Sequence, residues 1–192
     1  YMEFKEKLPR LKIVNAEEDL LLARAVKTSE EVKLLKKAGL VAAKGVDAGI
    51  EALKPGVTEF EVYKVFMGTL YGEGSEGDGF FPFLTSGPCV EGALYPVNRK
   101  LQEGDPVIID IGPVIEGYNG DCMRTGYVGK PTDEFKELYG AVYDCMYEVI
   151  KNVRPGIRVS KLSEMSRKVI KERGYDEPAF DYGHGLGLNC CE

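Results

Sequence analysis

An α+β fold with an internal duplication is what the sequence predicts, on three observations. A long apolar-periodic segment ends at Pro55-Gly56, and a second one ends at Pro155-Gly156. Each is followed by a shorter segment of helical periodicity. Between the two units lies a pair of apolar extended stretches around Glu116-Gly117, which reads as a β-hairpin. Pro-Gly commonly ends helices, so the match of both flanking helices, rather than the dipeptide, carries the repeat.

In order along the chain, residues 1–27 read as a tail. Within it, Lys12-Ile13-Val14 is predicted as a short strand and residues 17–24 as one or two helical turns. Thr28-Ser29-Glu30-Glu31 has the form of a capping box, with Thr28 as N-cap. Val32, Leu35, Ala38, Ala42, Val46, Ile50 and Leu53 then recur at helical spacing. A second capping box, Thr58-Glu59-Phe60-Glu61, opens a helix to about Leu70. Residues 72–79, dense in glycine, predict a mobile loop. Extended character resumes at residues 80–85, and Ser86-Gly87-Pro88 is a turn. The hairpin spans 107–128, a long helix and a shorter one follow at 132–153 and 159–173, and residues 178–192 read as extended. If the halves are equivalent, a second hairpin belongs near 207–228, past Glu192. The second-half hairpin is therefore expected to be missing, with 1–27 as the end of an N-terminal domain plus linker and 28–192 as an incomplete domain.

Composition narrows the function classes. The chain of 192 residues is 44% hydrophobic and 29% charged, ordinary for a globular domain. Its net charge of −6 argues against a nucleic-acid partner, which needs basic surface to displace counterions. No apolar run approaches the roughly 20 residues of a membrane span, so no membrane association is expected. The five cysteines form neither C-x-x-C nor an even framework. Reduced thiols in a cytoplasmic protein fit them best.

The candidate chemistry starts at Asp110, set among Val107, Ile108, Ile109 and Ile111. A carboxylate there is costly to ionise unless it is paired, hydrogen-bonded or bound to metal. A turn centred on Glu116-Gly117 sets Asp121 opposite Gly112, on the same face as Asp110, with Cβ atoms roughly 5.5–8 Å apart. That spacing suits two carboxylates sharing metal ions. A hydrogen-bond hub at Asp110, or a salt bridge from Arg124, is the structural alternative. His184, the one histidine, stands in Gly183-His184-Gly185-Leu186-Gly187, where glycines leave the imidazole unobstructed. No strand-to-helix context makes this a dinucleotide fingerprint.

Three stretches together, Val107 to Gly112, Gly117 to Thr125 and Gly183 to Gly187, resemble the Xaa-Pro dipeptidase, aminopeptidase P and methionine aminopeptidase group. Leu53-Lys54-Pro55-Gly56, Ser86-Gly87-Pro88 and Leu101 to Asp105 fit the same order. The resemblance covers about residues 20–192 and is nearest the Xaa-Pro branch. It implies the duplicated pita-bread fold and a site for two divalent metal ions (Mn, Co, Fe or Zn) built from two Asp, one His and two Glu. By position, Asp110, Asp121 and His184 match the first three. The two Glu belong to the missing hairpin, and Glu192 comes too early to replace either.

The group also has a His between its Ser-Gly motif and the first metal Asp, and another seven residues after the metal His. Here the first region reads Ala93-Leu94-Tyr95-Pro96-Val97-Asn98 and the second position is Cys191. Tyr95 and Cys191 are therefore the candidate substrate-binding residues, without an imidazole's proton affinity near neutrality. The resemblance implies a hydrolase acting on a small peptide or amide, with an atypical substrate site, and it allows a homodimer. The alternative is a non-catalytic binding module that kept the fold. The 192-residue chain by itself is expected to be inactive.

Overall fold

The computed structural model describes residues 2–8, 10–90, 95–176 and 183–192. The helices are α1 (Met2–Lys7), α2 (Glu17–Ala25), α3 (Ser29–Glu51), α4 (Glu59–Gly72), α5 (Asp133–Asn152) and α6 (Val159–Glu172). The strands are β1 (Phe83–Ser86), β2 (Pro106–Ile111), β3 (Val114–Ile115), β4 (Tyr118–Asn119) and β5 (Cys122–Tyr127).

Both capping boxes form. Thr28 Oγ1 accepts from the Glu31 amide at 3.3 Å, and the Glu31 carboxylate accepts from the Thr28 amide at 2.7 Å. Thr58 and Glu61 repeat this at 3.2 and 2.7 Å. These bonds hold the Glu31 and Glu61 carboxyls below the usual range, the backbone N–H of the capping threonine contributing most. Thr132 caps α5 by accepting from the Phe135 amide. Each cap satisfies N–H groups that a helix start leaves without partners.

Strands β1, β2 and β5 form an antiparallel sheet in the order β1-β2-β5. The period of two sends Val107, Ile109 and Ile111 of β2 to one face, where they are buried with Val46, Val62, Phe66 and Leu70 of α3 and α4. This is the main core.

The hairpin keeps one register from end to end. Ile111 pairs with Cys122 in the three-stranded sheet, and Val114 with Asn119 and Ile115 with Tyr118 in a separate β3–β4 ribbon. Its tip has positive φ at both Glu116 (50°) and Gly117 (80°), the combination a type I′ turn requires. The predicted hairpin thus holds, divided where Gly112-Pro113 faces Gly120-Asp121.

Gly120 sits against α3. A Cβ there would lie 2.6 Å from the Ala38 carbonyl oxygen and 2.8 Å from its carbon, both backbone atoms that cannot rotate away. Gly120→Ala is expected to cost about 1–3 kcal/mol in denaturant unfolding, the range for forced overpacking. An unchanged midpoint would show that α3 yields at this contact.

The duplication is visible in the turns. Gly56 and Gly156 have φ of 88° and 85°. The amides of Val57 and Ile157 donate to the carbonyls of Lys54 and Arg154, both at 3.2 Å. Helices α5 and α6 pack on each other as α3 and α4 do. They share a small core of their own, Ala141, Cys145 and Ile170. Among the described residues no hairpin covers them, and Leu138, Val142, Met146 and Ile150 of α5 are exposed.

Three expectations change. Residues 11–16 form no strand, because no neighbouring strand lies there to pair with them. The helix α1 was not foreseen in the tail. The glycine-rich stretch is a loop but is tied down: the amides of Glu76 and Gly79 donate to the carbonyls of Val114 and Gly112, and Val114 donates back to Gly77. Residues 177–182 lie outside the described residues, and 183–192 contain neither helix nor strand.

Candidate metal centre

The alternation that buries Ile109 and Ile111 against the helices turns Asp110 to the other face of β2. There its direct neighbours across the sheet are Phe83 of β1 and Met123 of β5. Asp110 is 7% exposed, and its Oδ1 is buried without a hydrogen-bond partner. Burial pushes its carboxyl up to about 6, and the charge of Asp121 adds to the effect. His184 and the Ile111 amide oppose it.

The hairpin register continued by one pair sets Asp121 opposite Gly112, in the row of Asp110. Asp121 is also raised, by burial, against the pull of His184 and a Cys190 hydrogen bond. Arg124 does not relieve either carboxylate by direct pairing. It lies in the Ile109 row, and its guanidinium donates to the Met123 carbonyl at 2.7 Å.

His184 reaches this pair from the far end of the chain. Its Nε2 lies 3.2 Å from Asp121 Oδ2, and its Nδ1 lies 3.0 Å from the Gly185 carbonyl. A carbonyl only accepts, so the ring N–H belongs on Nδ1. Nε2 then faces a carboxylate oxygen, acceptor to acceptor, and a proton or a cation must stand between them. A ring N–H held by a backbone carbonyl is also the usual support of a metal-ligating histidine. The segment is fixed by Asn119 of β4. Its amide donates to the Gly187 carbonyl and its side chain to the Leu188 carbonyl, both at 2.9 Å.

The residues present therefore fit a divalent cation: two raised carboxylates, an orphaned buried oxygen, and an imidazole nitrogen with no acceptable partner except a proton or a metal. Glu192 is not part of this group. Its carboxylate is held by Arg24 and by Lys27, the latter at 2.8 Å.

The predicted substrate residues have different neighbours. Tyr95 stacks edge-on against Phe81 (centroids 4.4 Å) and lies 6.3 Å from Phe83, the residue paired with Asp110. Its neighbours Ala93 and Leu94 are outside the described residues. Cys191 is exposed and lies beside His184. Cys190 was not singled out by the sequence, though its adjacency to Cys191 was visible. Its Sγ donates to Asp121 Oδ2 at 3.7 Å, and burial together with that carboxylate pushes the thiol up to about 12.

A family model described as metallopeptidase family M24 matches residues 33–192. An Xaa-Pro dipeptidase of Pyrococcus horikoshii is 33% identical over 174 residues, 88% of this chain and 49% of that protein. One from Pyrococcus furiosus is 32% identical, covering 98% and 55%. Among solved structures, the Pyrococcus horikoshii prolidase superposes with a TM-score of 0.92 at 30% identity, over 100% of this chain and 56% of that one. An X-Pro aminopeptidase of Thermotoga maritima gives 0.89 at 26% identity, over 100% and 55%. The chain spans about half the length of the curated relatives it matches.

Proposed function

The chain belongs to metallopeptidase family M24, and on that premise we propose that the whole protein is a dinuclear-metal-dependent hydrolase of the Xaa-Pro dipeptidase kind. Its fold is the pita-bread fold of the prolidases it superposes on. Asp110, Asp121 and His184 are its metal ligands, completed in the whole protein by further carboxylates. The observation that carries this reading is the His184 Nε2 to Asp121 Oδ2 approach, with Nδ1 already committed to Gly185.

A divalent pair held there supplies an activated water and polarises a substrate carbonyl. The donor set of carboxylates and imidazole suits Mn, Co, Fe or Zn. The chain's own residues do the rest. Asp110, raised by burial and its neighbour, would release its proton to solvent on taking a cation near neutral pH. Phe81, Phe83 and Tyr95 form an apolar wall beside it that suits a prolyl ring. Tyr95 and Cys191 offer hydrogen bonds to a small peptide. Among the described residues no helix is long and apolar enough to cross a membrane, and the acidic balance disfavours nucleic acid. Free thiols suit a reducing, cytoplasmic setting, and a homodimer is the assembly to test first.

Recognition of peptides without turnover is the second reading. The replacement of histidine by Cys191 and by the Tyr95 stretch, at the two positions where the group carries one, favours it, since neither side chain exchanges protons as an imidazole does near neutrality.

Metal analysis of the whole protein tests the site. Wild type is expected to hold about two ions per chain and Asp110→Ala to lose them. Equal content in both sinks the assignment. Turnover of an Xaa-Pro dipeptide by the loaded protein excludes the recognition-only reading, whereas the 192-residue chain is expected to show none.

A further inference from the structure

Two adjacent thiols at the His184 end of the site have no place in the carboxylate–imidazole scheme. Ligand atoms of His184, Cys190 and Cys191 all lie within 4.8 Å of one another. Asp121 Oδ2 approaches two of the three, at 3.2 Å from His184 Nε2 and 3.7 Å from Cys190 Sγ. Donors bound about 2.0–2.3 Å from one tetrahedral ion are separated by roughly 3.3–3.8 Å, which the two Asp121 distances match, and Cys191 needs only a small approach to join them. His184 and Cys191 are exposed and Cys190 is half-buried, so the cluster is open to an entering ion.

We infer that Cys190, Cys191, His184 and Asp121 form a mixed sulfur, nitrogen and oxygen site for a thiophilic divalent cation of the zinc or cadmium class. This deepens the reading above and rests on it only in sharing Asp121 and His184. Binding displaces the two thiol protons to solvent as the thiolates ligate. Two thiolates make this end of the site soft. It selects zinc, cadmium or cobalt over manganese, which prefers oxygen donors. Gly185 leaves room for the backbone of Glu192 and Gly187 for its carboxylate, and the Glu192 amide donates to the Gly185 carbonyl, so the ligand stretch closes on itself.

The probe is Co²⁺, added to the reduced, metal-free 192-residue chain. Wild type is expected to develop a near-ultraviolet thiolate-to-cobalt charge-transfer band that saturates at one ion per chain. Cys190→Ser/Cys191→Ser loses the band, and Zn²⁺ competing for the site binds at least about 100-fold more weakly, since even an outer-shell partner is worth roughly 10–100-fold. Cys89→Ser keeps the band, and matching far-ultraviolet circular dichroism shows that the variants are folded. Cobalt bound without the band, a band that survives in the double variant, or no cobalt bound at all overturns the inference. Asp110→Ala separates the two ideas: unchanged metal content in the whole protein sinks the dinuclear site, while the thiolate band answers only for the cysteines.

Discussion

Replacing Arg99 by alanine is expected to lower the unfolding free energy by about 3–5 kcal/mol, the cost of stranding a buried charge. The guanidinium grips Asp105 with both nitrogens, Nη1 to Oδ2 at 2.6 Å and Nη2 to Oδ1 at 3.0 Å. Nη1 also donates to Ser86 Oγ at 2.7 Å, and Ser86 donates to Glu59. The other Glu59 oxygen accepts from the Val97 amide, and Asp105 accepts from the Gln102 amide. Glu59, Ser86 and Asp105 are all buried, at 1%, 0% and 7% exposure. Burial works to raise the Asp105 carboxyl, but the Arg99 and Gln102 hydrogen bonds hold it below the usual value.

Without Arg99, two buried carboxylates share one small space. Arg99→Lys is expected to recover only part of the loss, because an ammonium cannot bond both oxygens in a fork. Adding Asp105→Asn to Arg99→Ala is expected to restore stability. Urea unfolding of the three variants checks this, and additive losses in the double variant would show that the groups do not act as a unit. The network joins the start of α4 to the end of β1, and so fixes the strand that places Phe83 across from Asp110.

Asp110→Asn is expected to act in the opposite direction. In the metal-free chain the folded state binds the Asp110 proton more tightly than the unfolded chain does. Stability from this group is therefore full below about pH 4 and falls as pH rises through about 6. At about 1.4 kcal/mol per pH unit, the ionised carboxylate costs the fold about 2–3 kcal/mol at neutral pH. Asp121 pushes in the same direction, so the two titrate as a pair.

The amide variant removes that charge. It is expected to be about 2 kcal/mol more stable than wild type at pH 7.5 in chelator, with a flatter profile between pH 4.5 and 7. It is also expected to bind metal far more weakly. Identical pH profiles for variant and wild type would refute the assignment of the cost to Asp110. A ligand group kept at such a cost is what a site selected for function looks like.

What could be read from the sequence follows the range of the interactions. The capping boxes at Thr28 and Thr58 depend on residues three apart, and both were legible. The hairpin register was legible because a turn at Glu116-Gly117 and a period of two fix every pair, including Asp121 with Gly112. The Lys12-Ile13-Val14 strand failed because β-propensity has no force without a partner strand. The glycine-rich stretch at 72–79 looked free because its anchors, Gly112 and Val114, lie some 35 residues away. The network from Glu59 to Asp105 was invisible for the same reason. Its residues read singly as a helix start, a turn and a loop. At the site, the two carboxylates were placed by local geometry. His184 was recognisable only from its motif, and the role of Cys190 needed the fold.

Asn119 gives the site a particular place in the order of local opening. Helices α5 and α6 rest on a small core of their own, separate from the main one, and such satellite units exchange their amide hydrogens through openings that leave the rest intact. Asp110 and Asp121 belong to the larger unit. His184 follows α6 in the chain, yet its segment is fastened to β4 through the Asn119 bonds to Gly187 and Leu188. When α5 and α6 unfasten, the imidazole stays with the carboxylates. The ligand set is therefore expected to share the slower exchange of the large core and not that of the helices that lie between its members, which amide hydrogen exchange would read directly.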